Sequence, residues 1–215
     1  MLSSLNNTKK SLLKKLRSNR TIKNDKVLDA FQAIPRELFI LPKFKKEAYI
    51  DAPLSINYKQ TISQPSTVFA MVEALEIKKT DKVLEIGSGS GYEAAILSRL
   101  SDQVYSVEIV PELVDFARKN LTKAKIKNVK IIQHDGGLGY KKQAPYDKII
   151  VSAACKEIPD ALIEQLKDGG IFIAPVGDDL HMQKMIKVAK HNQDLEQINL
   201  GSYVFVPLTG EFGQT

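Results

Sequence analysis

The chain has 215 residues, 43% of them apolar, and a net charge of +6, which suits one domain with a full core and an appendage. No apolar run approaches the ~20 residues of a membrane span, and the single cysteine, Cys155, excludes an internal disulfide framework. The charge is uneven: residues 1–50 hold 12 Lys/Arg and 4 Asp/Glu, net +8, against 19 and 21, net −2, in the remainder.

A basic segment can meet nucleic acid or an acidic surface. Here no aromatic residues alternate with the charges, so a solvated lysine-rich helix is the expectation and nucleic acid is not an expected partner. Residues 1–24 lack acids and loosely resemble a transit peptide. Leu12, Leu13 and Leu16, however, begin an amphipathic pattern that leads directly into folded-looking sequence. Asn24 or Asp25 is placed to cap a second helix carrying Val27, Leu28, Phe31 and Ile34 on one face, stopped by Pro35. A brief turn follows at Pro35–Phe39, and residues 40–62 read as irregular. Ser63 to Leu75 then reads as a helix, with Val68, Met71, Val72 and Leu75 at i, i+3, i+4, i+7 and Pro65 near its start.

From residue 81 the pattern alternates. Strand-like runs lie at 82–86, 104–108, 129–132, 147–151 and 171–176, and helical segments at about 91–100, 111–122 and 159–166. Such alternation implies βαβ crossovers and a doubly wound, mostly parallel α/β sheet. Two runs, 181–189 and 196–206, flank the turn-like 191–194 and suggest an antiparallel pair closing the sheet. The expected division is an N-terminal helical extension with a loop (1–62) and a cofactor-binding domain (63–215).

The chemistry begins at Val83-Leu84-Glu85-Ile86-Gly87-Ser88-Gly89-Ser90-Gly91, an apolar run ending in an acid and three alternate glycines. A strand turning sharply into a helix there would leave backbone N–H groups free for a nucleotide-like ligand. The dinucleotide fingerprint is G-x-G-x-x-G. This spacing is G-x-G-x-G, Tyr92 stands where the last dinucleotide glycine would be, and Glu85 would oppose a pyrophosphate. A sulfonium donor without phosphates, S-adenosyl-L-methionine, suits the turn better. Glu108, ending the strand 104–108, is placed for ribose hydroxyls, and Asp135 for the adenine amino group. His134, His181 and His191 are scattered without ligand-like partners, so no metal site is expected. Cys155 reads as a small buried residue, and its use fits a reducing, cytoplasmic setting.

The acceptor is less legible. The strand 147–151 runs into Ser152-Ala153-Ala154-Cys155 instead of the [DNS]-P-P-[YFW] turn of amino-group methylases. There is no evident general base, and a carboxylate acceptor needs none because it is ionised at neutral pH.

Thr61-Ile62-Ser63-Gln64-Pro65, the glycine turn, Val104–Glu108, Asp135-Gly136, Ile149–Ala154, Pro175-Val176-Gly177 and Phe205-Val206-Pro207-Leu208 together resemble the protein-L-isoaspartate O-methyltransferases, bacterial type. Ile34-Pro35-Arg36-Glu37 with Phe39 is similar to that family's N-terminal extension. The resemblance spans residues ~12–210. It implies methyl transfer from S-adenosyl-L-methionine to the α-carboxylate of isoaspartyl residues in proteins and peptides, with the ester then closing to a succinimide. It places the active-site serine at Ser63 and substrate contacts at Thr61, Gln64 and Val206. Cofactor contacts fall on Ile62, Glu85, Gly87, Ser88, Gly89, Gly91, Glu108, Asp135 and Gly136. A monomer is expected. The residues alone read Ser63 as a helix N-cap, and a cap with free N–H groups could also seat a carboxylate. Where the family usually has Gly-x-Gly before Gln60, this chain has Asn57 and Lys59. Other readings are methylation of another carboxylate, a small molecule or RNA, or a cofactor-binding protein without turnover.

Overall fold

The computed structural model describes residues 2–19, 22–178, 182–192 and 194–211. His181 and Gln193 lie outside the described residues. Helix α1 (Leu2–Ser18) buries Leu5, Leu12, Leu13 and Leu16 along one stripe and leaves Lys10, Lys14 and Lys15 in water, while Lys9 donates to Gln32 O at 2.8 Å. Asn24 caps α2 (Asp25–Ala33) by accepting the Lys26 N–H. Short 3-10 turns follow at Arg36–Leu38 and Pro42–Glu47.

The stretch expected to be irregular contains an antiparallel hairpin, β1 (Leu54–Asn57) and β2 (Gln60–Ile62). Strands this short show too little alternation to be recognised from sequence. The tip residues Asn57, Tyr58 and Lys59 all have positive φ, at 81°, 52° and 59°, so both of the family's usual glycine positions are held here by side-chain-bearing residues in the left-handed region. Helix α3 (Pro65–Ala74) starts two residues later than predicted, and its cap is Gln64, not Ser63.

The central sheet then forms from β3 (Lys82–Ile86), β4 (Gln103–Glu108), β5 (Val129–Gln133), β6 (Tyr146–Val151), β7 (Leu166–Val176), β8 (Gln183–His191) and β9 (Asp194–Tyr203). Helices α4 (Tyr92–Leu100), α5 (Pro111–Lys123) and α6 (Asp160–Glu164) intervene. The strand order is β5-β4-β3-β6-β7-β8-β9, parallel through β7 and antiparallel across the last two pairings. Tail strand β9 ends at Tyr203, short of the predicted 206, because the chain leaves the sheet to bridge Ala154 at Pro207.

The order reverses between β3 and β6, so their carboxyl ends, Gly87 and Ser152, flank a crevice where open α/β sheets bind ligands. Leu12, Leu16 and Phe31 of the N-terminal segment share one hydrophobic core with Val83, Ile96 and Val104 of the sheet layer. Cys155 is buried, and burial pushes its thiol up to about 12.

Candidate active site

The glycine turn is tied down from within. Gly87 and Ser88 N–H groups donate to Val107 O at 2.8 and 3.2 Å, and Gly91 N–H donates to Ser88 O at 2.7 Å. Gly89 N–H donates to Glu108 Oε2 at 2.8 Å. The turn expected to offer free N–H groups therefore offers none at these positions, and a pyrophosphate would find its usual donors taken. Gly89 has φ +50°, and a Cβ there would sit 3.2 Å from Ile56 Cδ1, so the β1–β2 hairpin lies directly over the turn. Tyr92 is fully buried, stacked under the Arg36 guanidinium (5.1 Å) and edge-on to Phe39 (5.6 Å).

Three cavities meet at Thr61 and Ser152, which line all of them. The first, about 540 Å³, runs from Gly87 and Gly89 past Glu108, Ile109 and Gly136 to Val206–Thr209. Glu108 is buried at its edge, its Oε1 accepting the Val110 N–H at 3.0 Å. Beside it Ile109 is a large apolar side chain left partly exposed, suited to the face of a flat ring. A Cβ at Gly136 would collide with Ile86, which accounts for glycine there. The second cavity, about 330 Å³, lies inward between Ser63 and the turn, lined also by Ile62, Ser88, Ser90 and Glu93. The third, about 940 Å³, opens outward past Ser63, Gln64, Thr67 and Tyr203–Val206.

No lysine or arginine lines the first two cavities among the described residues, and their ionisable carboxylates are Glu108 and Glu93. A cationic nucleoside fits such walls and a phosphorylated one does not. Ile62, Gly87, Ser88, Gly89, Glu108 and Gly136 are thus brought together around the inner two cavities, and Thr61, Ser63, Gln64 and Val206 around the outer one. Three predicted cofactor residues stand elsewhere. Gly91 caps α4 against Ala117. Asp135 lines none of the three cavities, and its oxygens accept the N–H groups of Gly137 (2.9 Å) and Glu211 (2.7 Å). Glu85 is fully buried beneath the turn, accepting the Ser106 hydroxyl, and lines none of the three cavities.

The helix after Ser63 offers no anion cradle of free N–H groups. Pro65 at the first turn has none, Ser66 N–H donates to Asp51 (2.9 Å), and Thr67 N–H to Gln64 O (3.1 Å). The Ser63 hydroxyl itself is half-buried and has no hydrogen-bond partner among the described residues. Glu93 and Ser152 went unrecognised from sequence. By position Glu93 is a first-turn helix acid. The signal for its burial is its setting in Tyr92-Glu93-Ala94-Ala95-Ile96-Leu97, a helix apolar on all sides and therefore buried on all sides.

A mostly parallel sheet with a glycine turn, a strand-end acid and a cation-tolerant crevice at its switch point defines an S-adenosyl-L-methionine-dependent methyltransferase. Solved structures agree. A protein-L-isoaspartate O-methyltransferase from Plasmodium falciparum, complexed with S-adenosyl-L-homocysteine, superposes with a TM-score of 0.81 at 27% identity, covering 93% of this chain and 97% of that one. Another protein-L-isoaspartate O-methyltransferase gives 0.85 at 30%, covering 95% and 67%. The model of the protein-L-isoaspartate(D-aspartate) O-methyltransferase family matches residues 6–213, and this chain belongs to that family. Relatives of that description include one from Methanoculleus marisnigri, 47% identical over 90% of this chain and 88% of its own length. One from Dictyoglomus turgidum is 45% identical over 95% and 92%.

Proposed function

We infer that the chain transfers a methyl group from S-adenosyl-L-methionine to the α-carboxylate of L-isoaspartyl residues, starting their return through a succinimide. The observation that carries this reading is the meeting of three cavities at Thr61 and Ser152, with Ser63 between the outer groove and the inner chamber. When bound, the donor supplies an electrophilic methyl group on a sulfonium. Glu108 would accept from its ribose hydroxyls, Ile109 and Gly136 would hold its base, and Ile62 and the turn residues would hold the rest. Ser63, unbonded among the described residues, is free to donate to one oxygen of the incoming carboxylate and so orient the other for attack on the methyl group. Thr61, Gln64 and Val206 frame the flanking peptide. No residue need remove a proton, because the acceptor is already an anion. Asp135 and Glu85 serve the site from behind, by fixing backbone and turn.

The first 62 residues act as an extension whose hairpin roofs the crevice. Relatives of archaeal and bacterial origin match alike, so the reading is held at the level of the family rather than its bacterial type. A monomer working in the cytoplasm fits a peptide substrate and the reduced Cys155.

The test is methyl transfer to an isoaspartyl peptide beside its aspartyl twin. Transfer to the first alone is expected. Ser63→Ala should lower kcat/KM by about 10–100-fold while leaving S-adenosyl-L-homocysteine affinity within about twofold, as loss of one oriented donor does. Equal methylation of both peptides would sink the reading.

A further inference from the structure

The inner chamber contains a carboxylate that the reaction as described leaves unused. Glu93 lies in the first turn of α4, is 8% exposed, and lines the chamber opposite Ser63 and Thr61. Its Oε2 accepts the Ser152 hydroxyl at 2.8 Å. Its Oε1 is buried and has no hydrogen-bond partner among the described residues. Buried carboxylate oxygens are almost always bonded, and one left open at the wall of a cavity marks a place where a partner is missing. No lysine, arginine or histidine lines this chamber among the described residues to serve as that partner.

The chamber joins the nucleoside cavity through Thr61, Gly87, Gly89 and Ser152. With a ribose at Glu108, the chamber across the turn is the space that would receive the amino-acid end of the donor. That end carries an ammonium group. Given that S-adenosyl-L-methionine is the donor, we propose that Glu93 is the counter-ion for the ammonium group of its methionine moiety, with Ser152 fixing the carboxylate's orientation. The part that sequence assigned to Glu85, an acid complementing a cationic ligand, thus belongs to Glu93, in the first helical turn after the glycines.

The surroundings make this site sensitive to pH. Burial raises the Glu93 carboxyl to about 7, against the smaller pull of the Ser152 hydroxyl. Glu85 faces it from β3 as a second buried acid, itself raised by burial and by Glu93, with Glu108 adding to that repulsion. Arg36, the buried cation of this neighbourhood, instead stacks on Tyr92 and donates its Nε–H to Ala48 O at 2.8 Å. An ammonium therefore binds best once Glu93 has lost its proton, and its arrival drives that loss.

The experiment is calorimetry on the full chain with two ligands, S-adenosyl-L-homocysteine and 5′-methylthioadenosine, which lacks the amino-acid end. At pH 8, Glu93→Gln should weaken the first by at least about tenfold, the loss of one charge-assisted hydrogen bond, and leave the second within about twofold. In the unmodified protein at pH 6.5, two buffers of different ionisation enthalpy should reveal proton release on binding the first ligand and none with the second. This arm holds whether or not the variant folds. Equal weakening of both ligands by Glu93→Gln, or no proton release with S-adenosyl-L-homocysteine, would overturn the assignment. Failure of the unmodified protein to bind either ligand would instead overturn the cofactor reading on which it rests.

Discussion

On the nucleoside side of Thr61 and Ser152, polar groups are bonded to one another. Glu108 takes two N–H groups, and the turn's own N–H groups are spent on Val107, Ser88 and Glu108. On the acceptor side the Ser63 hydroxyl stands without a partner among the described residues, Thr61 is exposed, and the hairpin tip holds three successive non-glycine residues at positive φ. The difference follows from what each side must recognise. One ligand never changes, so its site can be fixed in advance and kept rigid. The other is a damaged segment that differs from protein to protein, and a groove with unsatisfied, accessible groups accommodates it.

The comparison can be broken hardest at Glu108. Glu108→Ala removes a buried acceptor shared by Gly89 and Val110, and donor affinity should fall by about 100-fold or more, because charge-assisted bonds are worth roughly 1.5–3 kcal/mol each. Calorimetry with S-adenosyl-L-homocysteine measures it. A loss confined to peptide turnover would show that the preset side is not where the donor binds.

A middle-sized effect sharpens the idea that the inner site is kept at some cost to stability. The Glu93 carboxyl lies near 7 in the folded chain and near 4.5 when unfolded. Below about pH 4.5 both states are protonated and nothing is lost. As pH rises toward 7 the unfolded chain ionises first, so stability falls, and the full penalty persists above. Ligand-free Glu93→Gln should therefore melt about 5 °C higher than the parent at pH 8, with little difference at pH 4.5. Scanning calorimetry at the two pH values decides it.

The smallest effect belongs to the hairpin tip. Lys59→Gly relieves a left-handed residue costing about 1 kcal/mol and should raise Tm by about 2–4 °C without altering donor affinity. A change in KM for the peptide would show that the strain shapes the acceptor groove.

Much of the sheet was legible because each buried parallel strand is an apolar run, and Glu108 because it ends one of them. Legibility stopped where neighbours in space outvote neighbours in sequence. Ser63 resembled a cap, but Pro65 at the first helical turn moves the cap to Gln64. Glu85 resembled a ligand because it precedes the glycines, yet strand β3 is central and its odd-facing side chain points into the interior. Asp135 stands at the sheet edge in sequence, but one of its oxygens accepts from Gly137 and the other from Glu211, 76 positions later. No local pattern announces such a pairing.

That last pairing bears on how the molecule is made. Val206, Pro207, Leu208 and Thr209 supply a wall of the nucleoside cavity, pinned by Val206 O to Ala154 N–H and Leu208 N–H to Ala154 O, each at 2.8 Å. All seven strands of the central sheet are synthesised before that wall, which follows the end of β9 at Tyr203. The order of synthesis therefore postpones donor binding until residues 206–209 have emerged, and a growing chain cannot be rescued by its own ligand before then.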